Sequence, residues 1–115
     1  MKSKEAIACL SALAQESRLK LYRLLVKRGP EGYSAGELGE RLRIPGPTLS
    51  FHLKALTHAS LIDARRQGRF LYYSPNFEQV DNLVAFLTEH CCSLATDCKP
   101  RACTPIKPFA RKRAG

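Results

Sequence analysis

Four of the five cysteines in this 115-residue chain lie close together near its C-terminal end. They are Cys91, Cys92, Cys98 and Cys103. Thiolates are soft ligands that select soft ions over hard ones, so such a cluster predicts a thiolate site for a soft ion. Cys9 stands alone on a predicted helix, and we interpret it as a small buried packing residue.

Sharing one ion would require the chain to fold back between Cys92 and Cys98. Metal–sulfur bonds of about 2.3 Å bring the sulfurs of one site within about 4 Å of each other. A straight helix would instead separate these two residues by about 9 Å along its axis. We therefore expect residues 93–98 to leave the helix. The last predicted helix carries a heptad-like apolar stripe of Val80, Val84, Leu87, Cys91 and Leu94. Packing in this stripe is an alternative role for Cys91 alone, as a small apolar interface residue.

A second set of residues carries the chemistry of polyanion binding. The formal net charge is +9, which favours nucleic acid as a partner. Three arginines surround Gly68 in a predicted β-hairpin, and polar or aromatic side chains lie on the outer face of the preceding helix. These candidate DNA-binding residues are Thr48, Ser50, Phe51, His52, Lys54, Arg65, Arg66 and Arg69.

The elements that must position these residues form a mainly α fold with a small β-hairpin. Hydrophobic periodicity and capping signals predict five helices and two strands. The helices are expected at about 5–14, 16–28, 34–42, 47–58 and 77–92, and the strands at 61–65 and 70–74. Residues 1–92 would form one domain, followed by a cysteine-containing, proline-rich basic tail at 93–115.

A four-residue turn containing Gly46 joins the third and fourth helices, which is the helix-turn-helix pattern. Its second helix enters the major groove, where Thr, Ser and Lys side chains bond phosphates or base edges. For His52 we favour packing under the turn over base contact. Two interpretations of Phe51 remain: it contacts thymine methyl groups, or it packs on the hairpin. The hairpin arginines would grip the backbone as a wing, or else form a solvated turn.

In these features the chain resembles the ArsR/SmtB family of metal-responsive repressors. The resemblance rests on residues 14–25, 47–56 and 65–73 and on the helix order, and covers residues 1–92. It implies a winged helix-turn-helix fold and a homodimer joined through its first and last helices. It also implies repression of an operator on double-stranded DNA, relieved when an inducer binds.

One departure from the family pattern concerns the sensor. Many arsenic sensors of this family carry a Cys-x-Cys pair where this chain has Ser34 and Gly36. The resemblance implies a relocated site at the adjacent cysteines near the end of the last helix. Arsenite needs three thiolates, so we predict As(III) as inducer, with antimonite as an alternative. The expected ligands are Cys91, Cys92 and Cys98, with Cys103 as an optional addition.

Rival interpretations of the thiol cluster remain open. Structural zinc sites favour Cys-x₂₋₄-Cys pairs, so zinc fits adjacent cysteines less well than arsenite does. A zinc- or redox-sensing repressor on the same fold and a thiol metallochaperone are the other candidates. Lys99 and Arg101 are expected to lower the pKa values of the neighbouring thiols.

Several function classes are excluded by what the sequence lacks. There is no glycine-rich phosphate loop and no nucleophile with a plausible base, so we predict no enzyme activity. No segment approaches the roughly 20 apolar residues of a membrane span, and Met1–Glu5 lacks the apolar stretch of a signal peptide. We therefore expect a cytoplasmic protein whose cysteines stay reduced.

Overall fold

The computed structural model describes residues 1–94, and the expected fold is confirmed there as a winged helix-turn-helix. The helices are α1 Ser3–Leu13, α2 Glu16–Arg28, α3 Ala35–Leu42, α4 Gly46–His58 and α5 Phe77–Thr88. The strands are β1 Tyr33–Ser34, β2 Ile62–Gln67 and β3 Phe70–Pro75. The predicted ligands Cys98 and Cys103 and most of the tail lie outside the described residues.

Local signals set the start of α3 and the end of α2 where the sequence predicts them. Ser34 and Glu37 form a reciprocal capping box. The Ser34 N–H donates to Glu37 Oε1 at 2.9 Å, and the Glu37 N–H donates to Ser34 Oγ at 3.3 Å. Helix α2 ends at Gly29, whose φ of 87° favours glycine. Both features are confirmed because they depend only on residues close in the chain.

The core lies where α1, α2 and α4 meet the base of the sheet. On α4 the spacing of Leu49, Leu53 and Leu56 predicts that they face inward, and all three are buried. The largest fully buried leucine and isoleucine side chains come from α2, α3, α4 and the start of the hairpin. These are Leu21, Leu25, Leu38, Leu56, Leu61 and Ile62.

Helix α1 buries a different face from the one that its apolar residues suggest. Its buried residues are Ala6, Cys9 and Ala12, whereas Ile7 and Leu10 are exposed. Ala14 lies just past the helix and is also exposed. Small residues on the inner face suit packing against α2 and α4, and the bulkier side chains point outward. On α2 the apolar spacing predicts a buried face of Leu19, Tyr22, Leu25 and Val26. That prediction is partly wrong, since Tyr22 and Leu25 are buried but Leu19 and Val26 are exposed.

The sheet has three strands in the described residues, one more than the sequence predicts. Its order is β1-β3-β2 and every pairing is antiparallel. Strand β1 has only two residues and pairs Tyr33 with Tyr73 and Ser34 with Tyr72. Immediately before it, Gly32 has a φ of 75°, and a Cβ there would clash with the Tyr73 carbonyl oxygen. The short strand therefore depends on a glycine at this position.

Helix α5 ends earlier than predicted. Its last residue is Thr88 rather than Cys92, and the Thr88 hydroxyl donates to the Val84 carbonyl oxygen at 2.9 Å. Residues 89–94 are all exposed, so no packing holds a further turn of helix there. Cys91 and Leu94 consequently do not continue the apolar stripe of α5, and that part of the prediction was wrong. Within residues 1–94 no helix is long and apolar enough to cross a membrane.

Candidate DNA interface and thiol site

Helix α4 presents a polar outer face and packs its leucines inward. Thr48, Ser50, Phe51 and Lys54 are exposed. The helix begins after Pro45 and carries a proline in its first turn, which suits the fixed φ of that residue. Four of the five candidate DNA-binding residues on α4 are therefore accessible on the surface of the protein.

His52 differs from its neighbours because it is buried, with a relative exposure of 6%. Its Nδ1 atom has no hydrogen-bond partner. Burial lowers the pKa of His52, and the nearby positive charge of Arg18 lowers it further. A neutral ring packed on the inner side of α4 agrees with the structural role that the sequence favours for this residue.

Phe51 lies on the outer face of α4, with 65% of its surface exposed. The guanidinium carbon of Arg18 lies 5.9 Å from the centre of its ring. Arg18 Nε also donates to the Ala12 carbonyl oxygen at 2.9 Å, which ties the end of α1 to α2. Arg18 thus places a positive charge beside the accessible face of α4.

The wing turns at Gly68, whose φ of 67° matches the predicted hairpin turn. Arg66 and Arg69 are exposed near this turn. Arg65 is oriented differently, because its Nη1 and Nη2 atoms donate to the carbonyl oxygens of Pro30 and Glu31 at 3.3 and 3.1 Å. The three arginines are therefore not equivalent in the structure.

Tyr33 in β1 lies between two further arginines. The guanidinium carbons of Arg28 and Arg41 lie 5.0 and 4.8 Å from the centre of its ring. Arg28 also donates from Nε to the Gly32 carbonyl oxygen at 3.0 Å and pairs with Glu31 at 3.3 Å. The turn between α2 and β1 is thereby fixed from several sides.

The two described cysteines of the predicted thiolate site lie just beyond α5. Both are exposed, and their Sγ atoms are 3.5 Å apart. The hydrogen bond with Cys91 raises the pKa of Cys92, and a partial loss of solvation and the charge of Cys91 raise it further. Lys99 and Arg101, which are expected to lower the thiol pKa values, lie outside the described residues.

Cys9 is fully buried, as predicted. Its Sγ atom contacts the Ala59 carbonyl oxygen at 3.5 Å and the Gln79 Nε2 atom at 3.4 Å, so it joins α1 to α4 and α5. Among residues 1–94 no three or more His, Cys, Asp or Glu side chains come close enough to hold a metal ion.

Known proteins are similar to this chain in both sequence and fold. A family described as a helix-turn-helix domain matches residues 13–65. The arsenical resistance operon repressor of Bacillus subtilis strain 168 is 36% identical over 81 residues, covering 70% of this chain and 73% of that protein. The uncharacterized regulator YceK of the same strain is 43% identical over 63 residues, covering 55% of this chain and 62% of that protein.

A solved structure has the same fold as this chain. An ArsR-like transcriptional regulator from Rhodococcus sp. RHA1 superposes with a TM-score of 0.68 at 24% identity, covering 79% of this chain and 82% of that one.

The chain belongs to the ArsR family of winged-helix regulators.

As an ArsR-family protein it is a DNA-binding transcriptional regulator and not an enzyme, as the sequence predicts. Double-stranded DNA is its partner. In this member α3 begins with Ser34 as N-cap and has Gly36 in its first turn, and neither residue supplies a thiolate. Any thiol sensor must therefore use other cysteines of the chain.

Sequence reasoning missed Arg18, Arg28 and Arg41 in this ArsR-family regulator. All three place guanidinium groups against aromatic rings of the site or of the sheet beside it. Arg18 and Phe51 are far apart in the chain, so no local spacing could have paired them. The contacts of Arg28 and Arg41 with Tyr33 likewise become visible only once β1 has joined the sheet.

Proposed function

We propose that this protein is a homodimeric repressor that releases operator DNA when arsenite binds Cys91, Cys92 and Cys98. The observation that carries the proposal is the pair of exposed thiols with sulfurs 3.5 Å apart, directly beyond the end of α5. This separation falls within the distance of about 4 Å expected between sulfurs of one site. The relative named as an arsenical resistance operon repressor supports the same inducer.

The chemistry needs no oxidant. Arsenite enters as As(OH)₃, and each of three thiol sulfurs replaces one hydroxyl group while arsenic stays trivalent. Each thiol proton leaves with a hydroxide as water, so protons balance when the thiols are protonated.

Helices α1 and α5 pack against each other within one subunit. The proposed dimer uses the outer faces of these two helices. Ile7 and Leu10 lie one helical turn apart on α1 with exposures of 62% and 44%, and Leu87 on α5 is 57% exposed. Apolar side chains exposed on neighbouring helices are typical of an interface. Leu10→Glu should convert the dimer to monomer in sedimentation, with Lys4→Glu on the same helix as the exposed polar control.

The proposed DNA contacts fall into two groups. Thr48, Ser50 and Lys54 on α4 would contact base edges and phosphates in the major groove, with Phe51 beside them. Arg66 and Arg69 would bind phosphates from the wing. Two copies related by a twofold axis would then cover half-sites about one DNA turn apart.

Regulation requires that the thiol site and the DNA-binding helices influence each other. Helix α5 packs on α1, and Gln79 of α5 donates to the Ala59 carbonyl oxygen at the end of α4 at 3.1 Å. Closing a three-sulfur site just after α5 would reshape its end and so change how two subunits are spaced. By linkage, DNA must weaken arsenite binding by the same factor by which arsenite weakens DNA binding.

The experiment is a fluorescence-anisotropy titration of the duplex upstream of the protein's own gene, in strong reductant, with and without arsenite. We expect arsenite to weaken binding about 5–150-fold. Serine at position 91, 92 or 98 should abolish this response and leave the affinity of the arsenite-free protein unchanged. Cys9→Ser and Cys103→Ser should both respond to arsenite as the parent does, because neither residue is a proposed ligand.

A normal response from Cys98→Ser, or its loss in Cys9→Ser, would place the sensor elsewhere. The redox rival is favoured by the same 3.5 Å contact, since two such thiols are close enough to be oxidised together. It predicts release of DNA by an added oxidant and no effect of arsenite in reductant. The zinc rival predicts release by zinc with a fourth protein ligand.

A further inference from the structure

Arg65 occupies the place where the sheet changes from three strands to two. It pairs with Tyr72 across β2 and β3, and Tyr72 in turn pairs with Ser34 of β1. Beyond this rung only β2 and β3 continue, and residues 66–71 are all exposed. An isolated two-stranded hairpin is marginally stable in water, so the wing needs an attachment at its base.

The side chain of Arg65 supplies such an attachment. Its guanidinium group lies 5.9 Å from the centre of the Tyr72 ring and reaches past β3 to the turn before β1. There it donates two hydrogen bonds, to the Pro30 and Glu31 carbonyl oxygens. Two bonds from one planar group restrict both the distance and the angle between the wing and the turn.

The turn at residues 29–32 is itself a firm support. Arg28 holds it from the end of α2, through the hydrogen bond to the Gly32 carbonyl oxygen and the ion pair with Glu31. The backbone of Gly32 packs closely against the Tyr73 carbonyl group. A side chain bonded to this turn is thereby connected to α2 and to the sheet at once.

We propose that Arg65 is a positioning residue that sets the orientation of the wing, and not a phosphate contact like Arg66 and Arg69. Its two terminal nitrogens donate to the protein's own carbonyl groups, whereas Arg66 and Arg69 project near the exposed turn. The inference rests on the proposed contact between the wing and DNA phosphates.

The number of phosphates contacted can be read from the salt dependence of binding, so it separates the two roles. We would measure the affinity for operator DNA at several salt concentrations, well below the unfolding temperature, for R65A, R65K, R66A and R69A. R66A should reduce the slope of log K against log salt by about one unit. R65A should keep the slope of the parent and weaken binding about tenfold at every salt concentration.

R65K is the decisive variant because it retains the charge but cannot donate two bonds from one planar fork. We expect it to weaken binding nearly as much as R65A. Hydroxyl-radical footprinting should show lost protection under the wing and retained protection under α4 in both variants. A residue that only stabilised the fold would lower the unfolding temperature without altering this footprint.

Two results would overturn the proposal. A reduced slope in R65A that R65K restores would make Arg65 a phosphate contact, and parental affinity in R65A would remove any role in binding. An unchanged slope in both R66A and R69A would show that the wing does not reach phosphate at all. That last outcome identifies a failure of the proposed wing contact, because it does not depend on Arg65.

Discussion

Helix α4 and the wing are attached to the body of the protein by buried side chains and directed hydrogen bonds, whereas Cys91 and Cys92 lie on an exposed segment past α5. On α4, Leu49, Leu53 and Leu56 are buried. Residues 89–94, in contrast, are all exposed, and His90 and Cys92 have positive φ angles of 60° and 61°.

This contrast suits the two tasks. A surface that reads DNA gains affinity when its groups are already in place, because little ordering is then needed on binding. A surface that responds to a small ligand must rearrange, and rearrangement costs least where few contacts have to break. The thiol pair lies in such a place, just beyond the end of α5, the helix that we propose as part of the dimer interface.

The largest expected difference between the two regions is in stability. Leu56→Ala removes a fully buried side chain from α4 and should cost about 2–5 kcal/mol of unfolding free energy. Leu94→Ala removes a side chain that is 96% exposed and should change stability by less than about 0.5 kcal/mol. Urea denaturation of both variants measures this, and equal costs would contradict the contrast.

A second comparison concerns two turns of the sheet that carries the wing. In Gly32→Ala, the new Cβ would clash with the Tyr73 carbonyl group at a residue whose φ is 75°. This change should lower the unfolding free energy by about 3 kcal/mol, because the backbone must move. Gly68→Ala has a similar φ of 67° but open space around the new Cβ, so about 1 kcal/mol is expected. Thermal unfolding separates the two, and a smaller loss for Gly32→Ala would mean that the turn is not a firm support.

The wing should contribute to DNA binding through charge. Arg66→Ala should weaken binding to all duplexes alike and lower the salt slope by about one unit. Arg23→Ala removes the same charge from an exposed position on α2 and serves as the control, with a change in slope of less than about half a unit. A loss of affinity confined to one operator base pair would instead assign Arg66 to base readout.

The smallest expected effect is a pH dependence of stability within α4. The lowered pKa of His52 means that the unfolded chain takes up its proton more readily than the folded protein. The contribution of His52 to stability is therefore complete above the unfolded pKa of about 6.5 and is lost as the pH falls toward the folded value. His52→Gln should flatten this fall in unfolding temperature, whereas His58→Gln, at an exposed site on the same helix, should not.

The sequence by itself determined the features that depend on neighbouring residues. The capping box of α3, the end of α2 at Gly29 and the hairpin turn at Gly68 all involve backbone groups within a few positions of the residue that signals them. The outer face of α4 followed in the same way, from the spacing of its leucines. These signals sufficed for the winged helix-turn-helix fold.

Only the tertiary structure decided the features that join distant parts of the chain. Strand β1 has two residues and no periodicity of its own, so only pairing with β3 reveals it. The bonds from Arg65 to Pro30 and Glu31 span 35 and 34 positions, and Arg18 meets Phe51 only because α2 packs on α4. The end of α5 also depends on packing, since a helix stops where its apolar face no longer has a partner, and composition does not report where that is.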